Sequence, residues 1–229
     1  MGVDTLVEVE FTAAEIRVLG CLIEKESTTP ESYPLTLNSL TRACNQKSNR
    51  ELVMDLSETA VQEALDNLSK QLLVSSRSGS DSRVIKYSHR MKDRRTPDFD
   101  FDQAELAVIS VLLVRGPQTL GEIRTRSARI HQFEDMQALT ATLNKLGERD
   151  DGPYRKQLSR HPGQKESRYS HLFSGDVKQI SPGDNSSHPE FAKSESNIET
   201  EGLEQRVNQL EHTLSQLQQE FWAFTKQFE

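Results

Sequence analysis

The sequence predicts a mainly helical α+β protein in which a unit of three helices and one β-hairpin occurs twice, followed by a coiled-coil helix. The first observation is a repeated tetrapeptide, since residues 86–89 (Lys-Tyr-Ser-His) recur as residues 168–171 (Arg-Tyr-Ser-His). The second is that similar apolar patterns with helical spacing precede both tetrapeptides. The third is a heptad pattern near the C-terminus.

Helix one is predicted over residues 11–26 in the first repeat and residues 101–115 in the second. Each begins with a capping box, in which a polar N-cap residue is followed three positions later by a glutamate. The two pairs are Thr12 with Glu15 and Asp102 with Glu105.

Helices two and three follow in each repeat. Helix two is predicted over residues 34–44 and 119–127, and Ser57 is the predicted N-cap of helix three in the first repeat. The inward-facing positions of helix three match between repeats at an offset of 78: Val61, Ala64, Leu65 and Leu68 correspond to Leu139, Thr142, Leu143 and Leu146.

A β-hairpin completes each unit, with strands predicted over residues 72–76 and 84–89, and over residues 154–160 and 167–173. Three helices followed by a two-stranded hairpin, the wing, are typical of winged-helix domains. We therefore predict two tandem winged-helix domains.

The predicted domain boundaries are residues 8–92 and residues 98–174. Residues 175–198 are rich in Ser, Pro, Gly and Asn, which predicts a flexible linker, and residues 199–229 form the heptad segment. The tail from residue 176 carries four basic and ten acidic residues, so it accounts for most of the net charge of −7. The two repeats are close to neutral, and the composition neither requires nor excludes a nucleic-acid partner.

The sequence indicates a cytoplasmic protein with no membrane partner, because it has no signal-peptide pattern and no run of about 18 apolar residues. Cys21 and Cys44 lie in helical apolar patterns without metal-ligand spacing, so we expect two buried thiols in a reducing compartment. Neither a metal nor another cofactor is expected.

Three separate motifs carry a resemblance to a known family: residues 22–25 (Leu-Ile-Glu-Lys), residues 44–50 (Cys-Asn-Gln-Lys-Ser-Asn-Arg) and residues 160–169. Together they resemble the YceH-like family of bacterial proteins over about residues 8–173. The resemblance implies two winged-helix domains, in agreement with the pattern above. The family has no assigned biochemical function, so the resemblance leaves the function open.

Cations on the two hairpins are candidate phosphate contacts. They are Arg77, Arg83 and Lys86 in the first repeat, and Arg155, Lys156, Arg160, Lys165 and Arg168 in the second. Because the second hairpin has more of them, we expect the second repeat to bind nucleic acid more strongly. A charged strand edge that resists aggregation explains the same residues equally well.

The third helices also differ in charge, and again the second repeat is the better candidate for binding nucleic acid. The helix of the first repeat has mostly acidic polar positions, which a DNA groove would repel. That of the second begins with two acids but offers Gln137, Asn144 and Lys145 as candidate DNA contacts. The alternative is that the acids only favour the helix dipoles.

The loop between helices two and three of the first repeat is a further candidate functional segment, because nothing of the same character occurs in the second repeat. Its residues are Asn45, Gln46, Lys47, Ser48, Asn49 and Arg50. An ordinary polar connection is the alternative.

The C-terminal heptad seam predicts self-association through a parallel coiled coil, and its apolar positions are Leu203, Val207, Leu210, Leu214, Leu217, Phe221, Phe224 and Phe228. Docking of this one amphipathic helix onto its own winged-helix domains or onto another protein is the alternative.

No catalytic motif is present, and His89 and His171 of the repeated tetrapeptide are interpreted as the packed bases of the hairpins. Two hypotheses for a non-enzymatic function remain. One is a DNA-binding, regulatory protein that binds duplex DNA. The other is a protein-interaction adaptor that uses its winged-helix surfaces, as tandem winged-helix subunits of chromosome-organising complexes do.

Overall fold

The computed structural model of the chain describes residues 10–79, 82–92, 100–160 and 166–175. Most of the predicted linker and the whole heptad segment lie outside the described residues. For residues 79, 82 and 83 only the backbone is described.

The first repeat contains three helices and three strands. The helices are α1 (Ala13–Thr28), α2 (Leu37–Cys44) and α3 (Glu58–Lys70), with one short 3-10 turn, Pro30–Ser32, after α1. The strands are β1 (Leu35–Thr36), β2 (Val74–Gly79) and β3 (Ser82–His89). We call the β2–β3 pair the first hairpin.

The second repeat has the same order of elements. Its helices are α4 (Gln103–Arg115), α5 (Leu120–Ser127) and α6 (Met136–Glu148). Its strands are β4 (Gln118–Thr119), β5 (Arg155–Gln157) and β6 (Arg168–His171). We call the β5–β6 pair the second hairpin.

Both predicted capping boxes are present at the first helix of each repeat. The Thr12 hydroxyl accepts from the Glu15 amide, and the Glu15 carboxylate accepts from the Thr12 amide at 2.7 Å. Asp102 and Glu105 make the same reciprocal pair at 2.8 Å in each direction. Two amides that the helix itself cannot satisfy are thereby bonded at each start, which fixes where α1 and α4 begin.

Each sheet has three antiparallel strands rather than the two of the predicted hairpin. β1 pairs with β3 and β4 pairs with β6, which gives the strand orders β1-β3-β2 and β4-β6-β5. The added strands contain only two residues each, immediately before α2 and α5. Their second residues, Thr36 and Thr119, have extended backbone and also serve as the N-caps of those helices. A strand of two residues is too short to show an alternating apolar pattern in the sequence.

The two repeats share one continuous hydrophobic core in which α1 packs against α4. Gly20 permits the close approach, since a β-carbon there would lie 2.8 Å from Val114 Cγ1 and 2.9 Å from Leu113 Cβ. The buried Ser110 hydroxyl donates to the Gly20 carbonyl oxygen at 3.4 Å across the same contact.

The predicted α+β class with mainly helical content is confirmed, as are the three-helix order and the buried stripes of the third helices, except that Thr142 of α6 is only half-buried. The winged-helix assignment and the domain boundaries stay predictions. Among the helices that the structure describes, none has the length and apolar character needed to cross a membrane.

Candidate nucleic-acid interface

The first hairpin carries two neighbouring cations on its exposed face. Arg77 on β2 stands directly opposite Lys86 on β3, and both side chains are exposed. Ser75 and Ser88 form the next pair on that face, with their hydroxyls 2.9 Å apart. Within the described ranges, neither Arg77 nor Lys86 has a carboxylate partner. Two positive charges that no described carboxylate neutralises therefore lie side by side on this surface. The remaining candidate of this hairpin, Arg83, lies in β3, but its side chain is outside the described residues.

Arg155 of the second hairpin makes its hydrogen bonds within its own repeat. Its Nε donates to the Leu143 carbonyl oxygen at 2.7 Å and its Nη2 donates to Asn144 Oδ1 at 2.9 Å. The guanidinium carbon also lies 5.5 Å from the centre of the Tyr169 ring. Arg155 thus joins the hairpin to α6. Its bond also uses the side-chain oxygen of Asn144, which is another candidate DNA contact.

Arg168 is likewise engaged. Its Nη1 donates to the Pro117 carbonyl oxygen at 2.8 Å and lies 3.3 Å from Glu122 Oε2. Glu122 is also the capping-box partner of Thr119 at the start of α5. The charge of Arg168 is therefore neutralised within the protein, whereas Lys86, at the matching position of the first hairpin, meets no carboxylate in the described part of the chain.

Lys145, a candidate on α6, forms ion pairs with Asp102 Oδ2 at 2.8 Å and with Glu105 Oε2 at 3.2 Å. The hydrogen bond to Asp102, opposed by partial burial and helped by Glu105, raises the pKa of Lys145. Because it links α6 to the capping box of α4, this lysine also has a structural role.

The other candidates of the second repeat lie at the surface. Gln137 is exposed in the first turn of α6, Lys156 is half-buried on β5, and the exposed Arg160 lies 3.4 Å from the Ser167 hydroxyl. Lys165 lies outside the described residues.

The exposed face of α3 is acidic, as its sequence indicates. Glu58, Glu63 and Asp66 are all exposed. Asn38 donates to Glu58 Oε1 at 2.8 Å and Gln62 donates to Asp66 Oδ1 at 2.8 Å, and neither bond removes the negative charge. This face opposes insertion of α3 into a DNA groove.

The candidate loop of residues 45–50 is fixed at both ends. Asn45 makes two bonds to Leu56, donating to its carbonyl oxygen and accepting from its amide, each at 2.8 Å. At the other end, the Arg50 guanidinium is enclosed and lies 2.7 Å from Glu24 Oε2. Between them Lys47, Ser48 and Asn49 are exposed, and Gln46 is half-buried.

Arg50 is the most heavily bonded residue of this loop. Its Nη2 donates to the Ala43 carbonyl oxygen at 2.9 Å and lies 3.3 Å from Cys21 Sγ. Burial opposes ionisation of Glu24, but the hydrogen bond and charge of Arg50 outweigh it and lower the pKa of that carboxyl. Cys21 and Cys44 beside it are both buried and unbridged, as expected.

The loop also reaches the second repeat. Arg115 Nη2 donates to Asn49 Oδ1, and Gln118 Nε2 donates to Glu51 Oε2 at 3.0 Å. Asn49 has a φ of 61°, a left-handed conformation that asparagine tolerates better than most residues. The segment of residues 45–51 thus bonds the first repeat to the second, a role that its sequence did not indicate. We call it the bracket loop.

Four arginines on α4, α5 and the turn after α5 form a group that the sequence pattern did not indicate as a candidate site. Its members are Arg115, Arg124, Arg126 and Arg129. Residues 120–129 contain three of them. The apolar residues of the same segment indicated a buried helix face and not a binding site. Arg124 donates to the Glu134 carbonyl oxygen at 3.1 Å, whereas the other three line a cavity between the repeats.

Metal binding finds no support within the described ranges, where no cluster of three or more His, Cys, Asp or Glu side chains is placed to hold an ion. His89 is buried, its Nδ1 accepts from the Met91 amide at 3.2 Å, and its Nε2 lies 3.2 Å from Glu26.

Comparisons with known proteins agree on one family. Residues 11–164 match a family described as a protein of unknown function, DUF480. The chain is 48% identical to the UPF0502 protein YceH of Salmonella newport over 208 residues, which cover 91% of this chain and 96% of that protein. The same values hold for the UPF0502 protein YceH of Salmonella enteritidis. The chain therefore belongs to the DUF480 family, whose bacterial members include the YceH proteins that it resembles.

Proposed function

We propose that this is a non-enzymatic DNA-binding protein with a transcription-regulatory role, and that the first hairpin supplies its main phosphate contacts. The observation that supports this proposal is the pair Arg77 and Lys86, exposed on one face and without a carboxylate partner among the described residues. Like charges directly opposite each other in a sheet are destabilising. Phosphates bound across the pair would offset that repulsion.

The proposal reverses the order of the two repeats expected from their charge counts. Arg155, Arg168 and Lys145 of the second repeat are occupied by contacts within the protein. A cation already bonded to a carboxylate gains little from a phosphate, because the first bond must be broken. The second repeat contributes Gln137 and Arg160, which are exposed.

Salt-dependent binding to mixed-sequence duplex DNA tests the proposal. Each lost phosphate contact lowers the magnitude of the slope of log K against log salt by roughly 0.9. We expect Lys86→Ala to lower it by about one contact and the double variant Arg77→Ala, Lys86→Ala by about two. Lys70→Ala is the matched control, since Lys70 is an exposed lysine at the end of α3, outside the two strands, whose ammonium donates to Asn67 Oδ1 of its own helix.

Two outcomes would reject DNA binding through the first hairpin. One is the absence of detectable binding at low salt. The other is an equal slope for the wild type, the double variant and the Lys70→Ala control.

A protein-interaction adaptor is the second candidate, favoured by exposed apolar side chains on the first repeat. Val84 and Ile85 of the first hairpin are 51% and 48% exposed, and Leu52 and Val53, which follow the bracket loop, are 49% and 53% exposed. Together with the exposed acids of α3, these apolar side chains would suit a basic, partly apolar protein partner. Affinity capture from nuclease-treated extract should then retain a partner that the variant Val84→Ser, Ile85→Ser loses.

The heptad seam from Leu203 to Phe228 supports a further proposal, that the protein forms parallel homo-oligomers. Light scattering of the full chain and of a truncation at Ser196 tests it. A full chain of twice or more its monomer mass beside a monomeric truncation is expected, and two monomers would exclude self-association.

A further inference from the structure

A cavity of about 210 Å³ lies between the two repeats and is lined by arginines. Arg115, Arg126 and Arg129 face it from the second repeat, and Glu24, Thr28 and Asn49 face it from the first. Three guanidinium groups around one small space repel one another, and a bound anion would offset that repulsion.

Arg115 has no carboxylate partner within the described part of the chain. Its one hydrogen-bond acceptor among the described residues is the neutral amide oxygen of Asn49. Partial burial, followed by the positive charge of Arg126, lowers the pKa of Arg115. Its charged form is thus disfavoured by its surroundings, which a bound anion would reverse.

The nearby carboxylates do not neutralise the group. Glu24 also lines the cavity, but it is bonded to Arg50 at 2.7 Å and lies 3.5 Å from Lys25. Arg126 lies 3.3 Å from Glu51 and 3.5 Å from Glu122, and Glu122 is shared with Arg168. Arg129 is exposed and makes no ion pair within the described part of the chain.

The connected group therefore has twice as many cations as carboxylates. Its cations are Lys25, Arg50, Arg115, Arg126, Arg129 and Arg168, and its carboxylates are Glu24, Glu51 and Glu122.

We propose that this cavity between the repeats binds a small phosphate-bearing metabolite, whose phosphate group is held by Arg115 and Arg129, while Arg126 stays paired with Glu51 and Glu122. Guanidinium groups match phosphate oxygens in bidentate geometry and keep their charge at any physiological pH. The volume is below the range of roughly 300 to 1,000 Å³ usual for drug-sized ligands. It suits one phosphate group with a small organic part rather than a nucleotide.

The bound anion would contact both repeats, because Arg115 and Arg129 belong to the second and Asn49 to the bracket loop of the first. The site does not depend on the proposed DNA binding, since its residues are not those of the first hairpin.

Inorganic phosphate and pyrophosphate are suitable probes, titrated into the full chain at constant ionic strength with chloride as the balancing anion and no DNA present. Binding is followed by ³¹P line broadening and by the rise in unfolding temperature that ligand binding produces. Arg129→Gln tests the site, because this exposed residue can be changed without breaking an ion pair. Arg124→Gln is the matched control, because Arg124 is an exposed arginine of the neighbouring helix α5 that does not line the cavity.

We expect the wild type and Arg124→Gln to bind the probes equally and Arg129→Gln to bind about tenfold more weakly, the usual effect of losing one charge-assisted hydrogen bond. Equal responses of all three proteins, or no response beyond that to chloride, would overturn the proposal. So would unchanged phosphate binding together with a loss of duplex binding in Arg129→Gln, since that result assigns the arginines to the DNA backbone.

Discussion

Lys86 and Arg168 occupy the same position in the two hairpins, yet among the described residues only Arg168 reaches a carboxylate, Glu122 Oε2 at 3.3 Å. The difference arises three residues into the second helix of each repeat. Thr36 and Thr119 are the corresponding N-caps, and the residue three positions later is Ser39 in the first repeat and Glu122 in the second.

The substitution Ser39→Glu should therefore transfer the arrangement of the second repeat to the first. A glutamate at this position completes a capping box with Thr36 and lies within reach of Lys86. We expect the free energy of unfolding to rise by about 0.5 to 1 kcal/mol, and the salt slope of DNA binding to fall by about one phosphate contact. Chemical denaturation and DNA titration measure the two effects, with Ser39→Ala as the uncharged control. A more stable variant with an unchanged slope would contradict the role given to Lys86.

Arg50→Met should destabilise the protein strongly. Removing one partner of an enclosed ion pair costs roughly 3 to 5 kcal/mol, because Glu24 is left charged and partly buried. Urea unfolding of Arg50→Met and of Lys47→Met, which changes an exposed residue of the same loop, measures the difference. Adding Glu24→Met to Arg50→Met should recover part of the loss. If Arg50→Met and Lys47→Met are equally stable, the bracket contributes nothing to folding.

Gly20→Ala should weaken the packing between the repeats. The new methyl group would overlap Val114 and Leu113, and such overpacking costs about 1 to 3 kcal/mol. Gly121→Ala is the matched control, because a β-carbon at Gly121 of α5 meets nothing within 4 Å. There we expect no loss and a gain of up to about 1 kcal/mol from helix propensity. Thermal unfolding of both variants at one protein concentration gives the comparison, and similar unfolding temperatures would count against the close helix contact.

His171 should make the protein less stable in mild acid. Burial lowers the pKa of this side chain to about 4, and its ring Nδ1 is enclosed without a hydrogen-bond partner among the described residues. Between that value and the ordinary pKa of roughly 6.5, the unfolded chain binds the proton more tightly, so stability falls as pH decreases through this window. The total effect is up to about 3 kcal/mol.

Urea midpoints measured from pH 7 to pH 5 test this prediction, since most carboxylates stay ionised there. The wild type should lose stability steadily, and His171→Asn should show a flatter profile. Parallel profiles for the two proteins would exclude His171 as the source of the acid sensitivity.

The starts of the helices and their buried faces could be predicted from the sequence, because each depends on residues that are close together in the chain. The capping box of Thr12 and Glu15 and the inward stripe of α3 each depend on residues within a few positions of one another. The strands β1 and β4 could not be predicted, because two residues show no alternation and their pairing partners lie far along the chain.

The candidate interface was harder to predict for a related reason. Counting cations ranks the second hairpin above the first, but a count does not show which charges are already bonded. Arg155 meets the Leu143 carbonyl, and Arg115 meets Asn49 from 66 positions away. Such pairings follow from tertiary packing, which also brings the arginines of the cavity together.

The shared core of α1 and α4 has a consequence for how the duplicated gene could have diverged. Two halves that fold independently can each change sequence freely, whereas here a larger residue at Gly20 is tolerated only with a compensating change near Val114. The halves are therefore obliged to evolve as complementary partners, and fragments of the chain divided between residues 92 and 100 should need each other to fold.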